Sequence, residues 1–335
     1  MFGRMMNRFY YGKSGKGDYT KEDLPETRWQ LFWEMLRVRF TALFKLNLLY
    51  VLAWIPAIIV IGRGLMLVYN ALAVLNDMQL QVDSGTATME ALTAMNVDVA
   101  QAIRAFVMQT LVLLIPAIGI TGPFTAGLCY VTRNWARDEH SFLLSDFFQA
   151  VKDNWKQALP TSLITGAVPV MIYVCYTFYG DMASSNSAVF LVPQALSLIV
   201  CVLWMSSLLY VYPQMVTYEM KYSILLRNSM IMAISCLPMT VGLKLLSLVP
   251  TIIFAVVALF TPYAVYAALI YAAYYILVGF ALSRFVGASY TNGVFDRVLN
   301  SRIEGATVGR GLYQDDEDEE EAQAESAENN ESTEA

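Results

Sequence analysis

Histidine is almost missing from this chain: among 335 residues, His140 is the only one. That excludes histidine-built metal clusters and repeated histidine relays. A serine or cysteine nucleophile paired with His140 would need a supporting motif, and no nucleophile elbow is present. Charge is also scarce, at 15% of residues against 57% hydrophobic, where soluble proteins carry about 25% charge. The four cysteines, Cys129, Cys175, Cys201 and Cys236, stand singly in apolar stretches with no C-x-x-C spacing. They read as small buried hydrophobes and not as disulfides or zinc ligands. An uninterrupted apolar run is missing after the first basic residues, so no cleavable signal peptide is expected. Gly12-Lys13-Ser14 resembles the end of a phosphate loop, but position 7, where the loop needs glycine, is Asn7. No catalytic, cofactor-binding or metal-binding residues are therefore assigned, and no enzyme is expected. Acids interleave with the basic patches, which excludes nucleic acid as a natural partner and leaves anionic lipid.

What is present is apolar sequence in long runs. The expected fold is all-α: a polytopic transmembrane bundle of six spans, at about 46–62, 103–124, 158–179, 189–212, 237–260 and 263–283. Asn47 is the only strongly polar residue of the first span. Interfacial amphipathic helices are expected before the first span, at 28–45, and around 144–155. Residues 65–102 carry Asp77, Asp83, Glu90 and Asp98 without a base until Arg104, and read as a helical hairpin outside the membrane. Residues 1–27 read as a mobile lead, 28–284 as the membrane domain and 285–335 as a tail. From about 311 that tail is acidic and expected to be disordered, with 11 acids, no base and almost no branched aliphatics.

Within this frame the stretch Ile115 to Trp135 stands out. Pro116 and Pro123 each remove a backbone donor, and Gly119, Gly122 and Gly127 interrupt the same helix. In lipid the freed carbonyls must find partners on neighbouring helices, hydroxyls or water. Two readings follow: a kinked packing helix, approached closely at Gly122-x-x-x-Ala126, or a broken helix whose end lines a polar cavity. Lys244 and Arg104 are the charges inside or beside spans. Both have stems long enough to snorkel, and neither has an intramembrane carboxylate nearby in sequence. Tyr271, Tyr274 and Tyr275 lie too deep for an interface belt and read as packing residues or ligand contacts. Arg133 and Trp135 complete the set of candidate solute or partner contacts.

Orientation follows from lysine and arginine. Placing both termini and the loops at 132–157 and 213–235 in the cytoplasm puts 19 of the 22 bases inside and only Arg63 in an outer loop. The cell membrane is the expected location.

Three motifs carry a resemblance: Leu46-Asn47-Leu48-Leu49-Tyr50, Gly122-Pro123-Phe124-Thr125-Ala126-Gly127 with Tyr130 to Trp135, and Asp146-Phe147-Phe148. In these the chain resembles the YesL-like family of bacterial membrane proteins, over roughly Lys45 to Arg284. Shorter members hold the first two motifs close together, whereas here the hairpin at 65–102 intervenes. Members have no established biochemical activity and are often encoded beside carbohydrate ABC-transport genes. The resemblance implies an accessory role in sugar uptake, with a membrane partner such as ABC transporter subunits. The alternative is a small-solute carrier or permease with its site at the second span; the missing midplane acid counts against proton coupling. Oligomeric state is not legible.

Overall fold

The structure, a computed structural model, describes residues 25–303 and 305–313. Most of the lead, and the tail beyond 313, lie outside the described residues. Among the described residues there is no strand. The helices are α1 (Arg28–Asp83), α2 (Met89–Trp135), α3 (Leu143–Ser185), α4 (Leu191–Met215), α5 (Tyr222–Ser235), α6 (Leu237–Phe260), α7 (Ala264–Tyr274) and α8 (Phe280–Val298). A π-turn, Tyr275–Gly279, joins the last two into one unit. Six of these units are long and apolar enough to cross a membrane, as a multi-pass membrane protein requires. The crossings bring both described ends of the chain to one end of the bundle, here called the base.

α1 starts where Thr27 and Gln30 form a reciprocal capping box, with the Thr27 N–H donating to Gln30 Oε1 at 3.0 Å. Neither glycine nor proline occurs between Arg28 and Asn47. The amphipathic segment 28–45 therefore runs straight into the first span instead of lying apart from it. At 56 residues, α1 is about 84 Å long, well over the thickness of a bilayer. It ends at a turn in which Gly85 takes φ +77°, and α2 begins at Met89.

α2 is not broken at either proline. It is continuous from Met89 to Trp135, and at Pro123 α3 supplies what the proline removes. Pro123 lacks the N–H that would bond the Gly119 carbonyl, and the Ser162 hydroxyl donates to that oxygen at 2.7 Å. Gly119, Gly122 and Gly127 all face α3. A methyl group on Gly122 would collide with the Ser162 hydroxyl and come within 2.5 Å of the Ala158 carbonyl. The small-residue face is thus occupied within the chain.

The bundle is tight at the base and loose at the opposite end. Leu31, Leu43, Leu46, Leu128, Val131, Trp135, Phe147 and Phe285 form one buried core at the base, drawn from α1, α2, α3 and α8. By contrast Thr240 is the only buried residue of α6, and α7 has none. Polar contacts reinforce the base. Arg28 pairs with Asp296, which also accepts from Asn300 at 2.6 Å and from the Gly309 N–H at 3.1 Å. Tyr218 donates to Asn300 at 2.7 Å, and burial pushes its phenol up to about 12 against the pull of Arg133 and Arg137. Residues 305–313 fold back as a strap. Arg310 pairs with Glu139 at 3.2 Å, and the Tyr313 N–H donates to the Pro25 carbonyl at 2.9 Å. Gly311, at φ +85°, sits where any side chain would strike the Arg137 carbonyl.

One contact fixes the last crossing. Asn47, wholly buried, donates from Nδ2 to the carbonyls of Tyr275 and Ile276 at 2.8 and 2.7 Å, and its Oδ1 accepts from the Ala281 N–H at 2.9 Å. A side chain inserted into the helical ladder in this way is what a π-turn accommodates. The extra residue turns every later side chain by about 100°.

Two outcomes are expected. Asn47→Leu removes all three bonds from a buried site, so the thermal midpoint in detergent should fall, with a loss of at least about 2 kcal/mol; an unchanged midpoint would show that the π-turn satisfies itself. Asp146 supplies a pH test. Burial alone would raise its pKa, but donation from the Phe142 N–H, Ser141 and Ser145 prevails and holds it below 3.8. A depressed carboxylate stabilises fully above its unfolded pKa and loses that contribution as pH falls through the folded value. Asp146→Ala should therefore be less stable than wild type at neutral pH, and the two should converge below about pH 4. A constant difference down to pH 3 would contradict this.

Candidate functional site

Where the outer halves of the helices separate, a cavity of about 690 Å³ opens between α1, α2, α3 and α4, with α6 and α8 at its floor. Tyr50 and Trp54 border it from α1, Thr121 and Thr125 from α2, and Ser162 and Thr165 from α3. Higher up the lining is mostly apolar, with Leu111, Ile118, Val168, Ile172, Met205 and Leu208, and includes Tyr173 and Tyr176. Lys244 and Arg284 are its only charged lining residues, and both are cations.

Neither cation has a carboxylate. Among the described residues the ion pairs join Arg28 to Asp296, Arg137 to Glu139 and Arg310 to Glu139, all at the base. Arg284 lies over the ring of Tyr212, 5.4 Å from its centroid, and beside the Cys129 thiol. The Lys244 ammonium makes no hydrogen bond among the described residues. From Ala264 down to Arg284 the helix drops about 30 Å, the thickness of a hydrocarbon core. The route from there to the base is closed by the packed layer of Leu128, Val131, Trp135 and Phe285.

The threonine hydroxyls around the floor are already engaged. Thr121 donates to the Ile118 carbonyl, Thr125 to the Thr121 carbonyl and Thr165 to the Thr161 carbonyl, at 2.8, 2.8 and 2.7 Å. Because the Thr125 proton is taken, the 2.8 Å contact between Tyr50 and Thr125 has Tyr50 as donor. The guanidinium, beside the Cys129 thiol, and the ammonium are the charged donors on the floor, and the Tyr212 hydroxyl and the Trp54 indole N–H border the same space. Two cations around a space with no counter-charge give the cavity an electropositive floor.

The candidate residues read from sequence divide cleanly. Lys244 reaches the cavity, where snorkelling towards the membrane surface was expected. Pro116, Gly119, Gly122, Pro123 and Gly127 shape the contact of α2 with α3 and do not expose a broken helix end. Trp135 is a buried core residue of the base, and Arg133 donates to Asn134 there at 2.9 Å. Tyr271 and Tyr275 each share a 3.2 Å hydrogen bond with Thr251, and Tyr274 packs edge-on against Tyr275. These three fasten α6 to α7 and line no part of the cavity. Arg284 is the residue that sequence reasoning missed. Hydropathy ends the sixth span at 283, so a base at the next position looks interfacial; the signal against that is the helical sequence continuing to Val298.

If the cavity cations are held for a ligand and not for the fold, removing one should stabilise the empty protein. An unpaired cation costs about 3 kcal/mol at the centre of a membrane-spanning helix, and part of that at the inner edge of the hydrocarbon core, where Arg284 lies. Arg284→Leu should raise the thermal midpoint in detergent without ligand. A fall would make Arg284 a structural strut for Tyr212 and Cys129.

Residues 100–176 match a family described as "Protein of unknown function, DUF624". The matched segment is most of α2 with most of α3, so it contains the Ser162 to Gly119 contact and one wall of the cavity but neither Lys244 nor Arg284. No curated protein and no solved structure matches the chain. The chain is thus similar, over its second and third crossings, to a family whose function is unassigned.

Proposed function

We propose that the chain is a membrane-embedded binding protein, of carrier or receptor type, that takes an anionic ligand in the cavity beside the second crossing, and that it performs no catalysis. The observation that carries this reading is the pair Lys244 and Arg284, fixed at the cavity floor without a carboxylate. Their desolvation is unfavourable in the empty protein, and an anion placed between them would offset it. The distribution of bases supports a cytoplasmic base and a cavity that faces away from the cytoplasm.

A sugar is poorly served here. The lining has no Asp, Glu, Asn or Gln, the side chains that match the alternating donors and acceptors of a polyol. The accessory role in carbohydrate uptake, with ABC transporter subunits as partners, rests instead on the resemblance to the YesL-like family. Such a partner would meet the α6 and α7 pair, whose surface is almost wholly unburied, because the Gly122-x-x-x-Ala126 face is engaged by α3.

Ligands with matched tails separate the readings. Octyl phosphate should raise the thermal midpoint of the purified chain and octyl glucoside should not, with the phosphate effect lost in Arg284→Gln and Lys244→Gln. Stabilisation by the glucoside alone, or only after transporter subunits are added, would overturn the anion reading.

A further inference from the structure

The shape of the cavity says more about its occupant than its charge does. Only the floor is cationic. Above it Leu111, Ile118, Ile172, Met205 and Leu208 present hydrocarbon, and the volume of about 690 Å³ far exceeds what a phosphate or carboxylate group fills. A water-soluble dianion would leave these walls facing water or unfilled space. An occupant that satisfies both regions has a compact anionic head and a long apolar tail.

The route of entry points the same way. α1 and α4 bound the cavity on opposite sides but scarcely touch each other. The unit that would close the gap between them, α6 with α7, buries almost nothing and contributes only Lys244 to the lining. The gap between α1 and α4 is therefore only loosely covered, on a side of the bundle that faces acyl chains. A ligand already dissolved in the bilayer enters sideways, with no need for its tail to cross water.

Other features were weaker. The polar groove at the base, with Asp146, Asp153 and Glu219, has its side chains engaged locally: Gln149 donates to Asp153 and Gln157 to the Met220 carbonyl, at 3.0 Å each. The apolar groove between α3, α4 and α5 has no polar group to select an occupant.

We infer that the ligand is an anionic lipid taken laterally from the bilayer, its phosphate held between Arg284 and Lys244 and its tail lying along Ile118, Ile172, Met205 and Leu208. This rests on the anion reading above and adds the source of the ligand. Arg284 presents a planar fork to two phosphate oxygens, and Lys244 adds a point charge. The Tyr50 and Thr125 pair stays intact, since its protons are already directed to protein acceptors.

The test uses the full chain in nanodiscs of phosphatidylcholine doped with phosphatidic acid, followed by native mass spectrometry of the lipid retained and by thermal unfolding. Wild type should retain phosphatidic acid at least tenfold over its share of the bilayer. Arg284→Gln and Lys244→Gln should each reduce that enrichment tenfold or more, and Met205→Trp, which fills the tail wall and leaves the charges, should reduce it as well. Gel filtration and the unfolding transition check that each variant is folded, and two independent charge variants guard against the loss of one. If inorganic phosphate stabilises wild type as strongly as phosphatidic acid does, and Met205→Trp changes nothing, the anion reading holds and the lipid inference fails. If neither probe is retained, or Arg284→Gln and Lys244→Gln bind as wild type does, both fail.

Discussion

Every backbone polar group inside a bilayer needs a protein partner, because no water is there to replace one. The chain departs from regular helix at two places that matter, and each time a side chain from another crossing makes up the deficit. Ser162 answers the carbonyl left open by Pro123, and Asn47 answers the loosened ladder of the π-turn. These are also the contacts that set the geometry of the cavity. The first holds α2 and α3 at glycine distance, and the second fixes the rotation of the helix that carries Arg284. A deletion of packing elsewhere would cost stability, whereas a change at these two points moves the site.

The electrostatics divide along the same axis as the packing. At the base, charges of both signs meet: Arg28 with Asp296, which also holds Asn300 and the Gly309 N–H, and Arg137 and Arg310 with Glu139. Such pairs at a surface contribute little individually, but Glu139 holds two bases and, with Asp296, ties the strap to α8 and to the turn after α2. In the cavity the same residue types occur with the opposite logic. Lys244 and Arg284 repel one another and find no acid. A protein selected only for stability would not keep two such groups together without an acid, which is why they, and not the larger base network, mark the site.

The crossings were legible in the sequence because twenty or so apolar residues in a row have few other uses, and Asn47 was visible as the lone polar residue of its span. The prolines and glycines of α2 were equally visible, but their meaning was not. Whether Pro123 breaks a helix depends on whether Ser162, 39 positions further on, donates to Gly119, and hydropathy does not pair one helix with another. Arg284 was hidden by its position at the foot of a span, where a base is commonplace. The π-turn that rotates it inwards has no composition of its own. Tyr271, Tyr274 and Tyr275 attracted notice as deep aromatics, yet their hydroxyls serve Thr251 and the joint between two adjacent helices. The strap was unreadable for the opposite reason, since a short run of glycine and charge carries no period.

The hydrogen bond from Tyr313 to Pro25 brings the two described ends of the chain together at the base. In mechanical terms the molecule is a closed ring with a rigid hub. A load applied at either end, by a fused domain or an attached partner, is borne by the strap and the packed base core and is not passed to the splayed helices above. The cavity thus lies beyond the packed base core from both described ends, while α6 and α7 bury the least surface of the crossings.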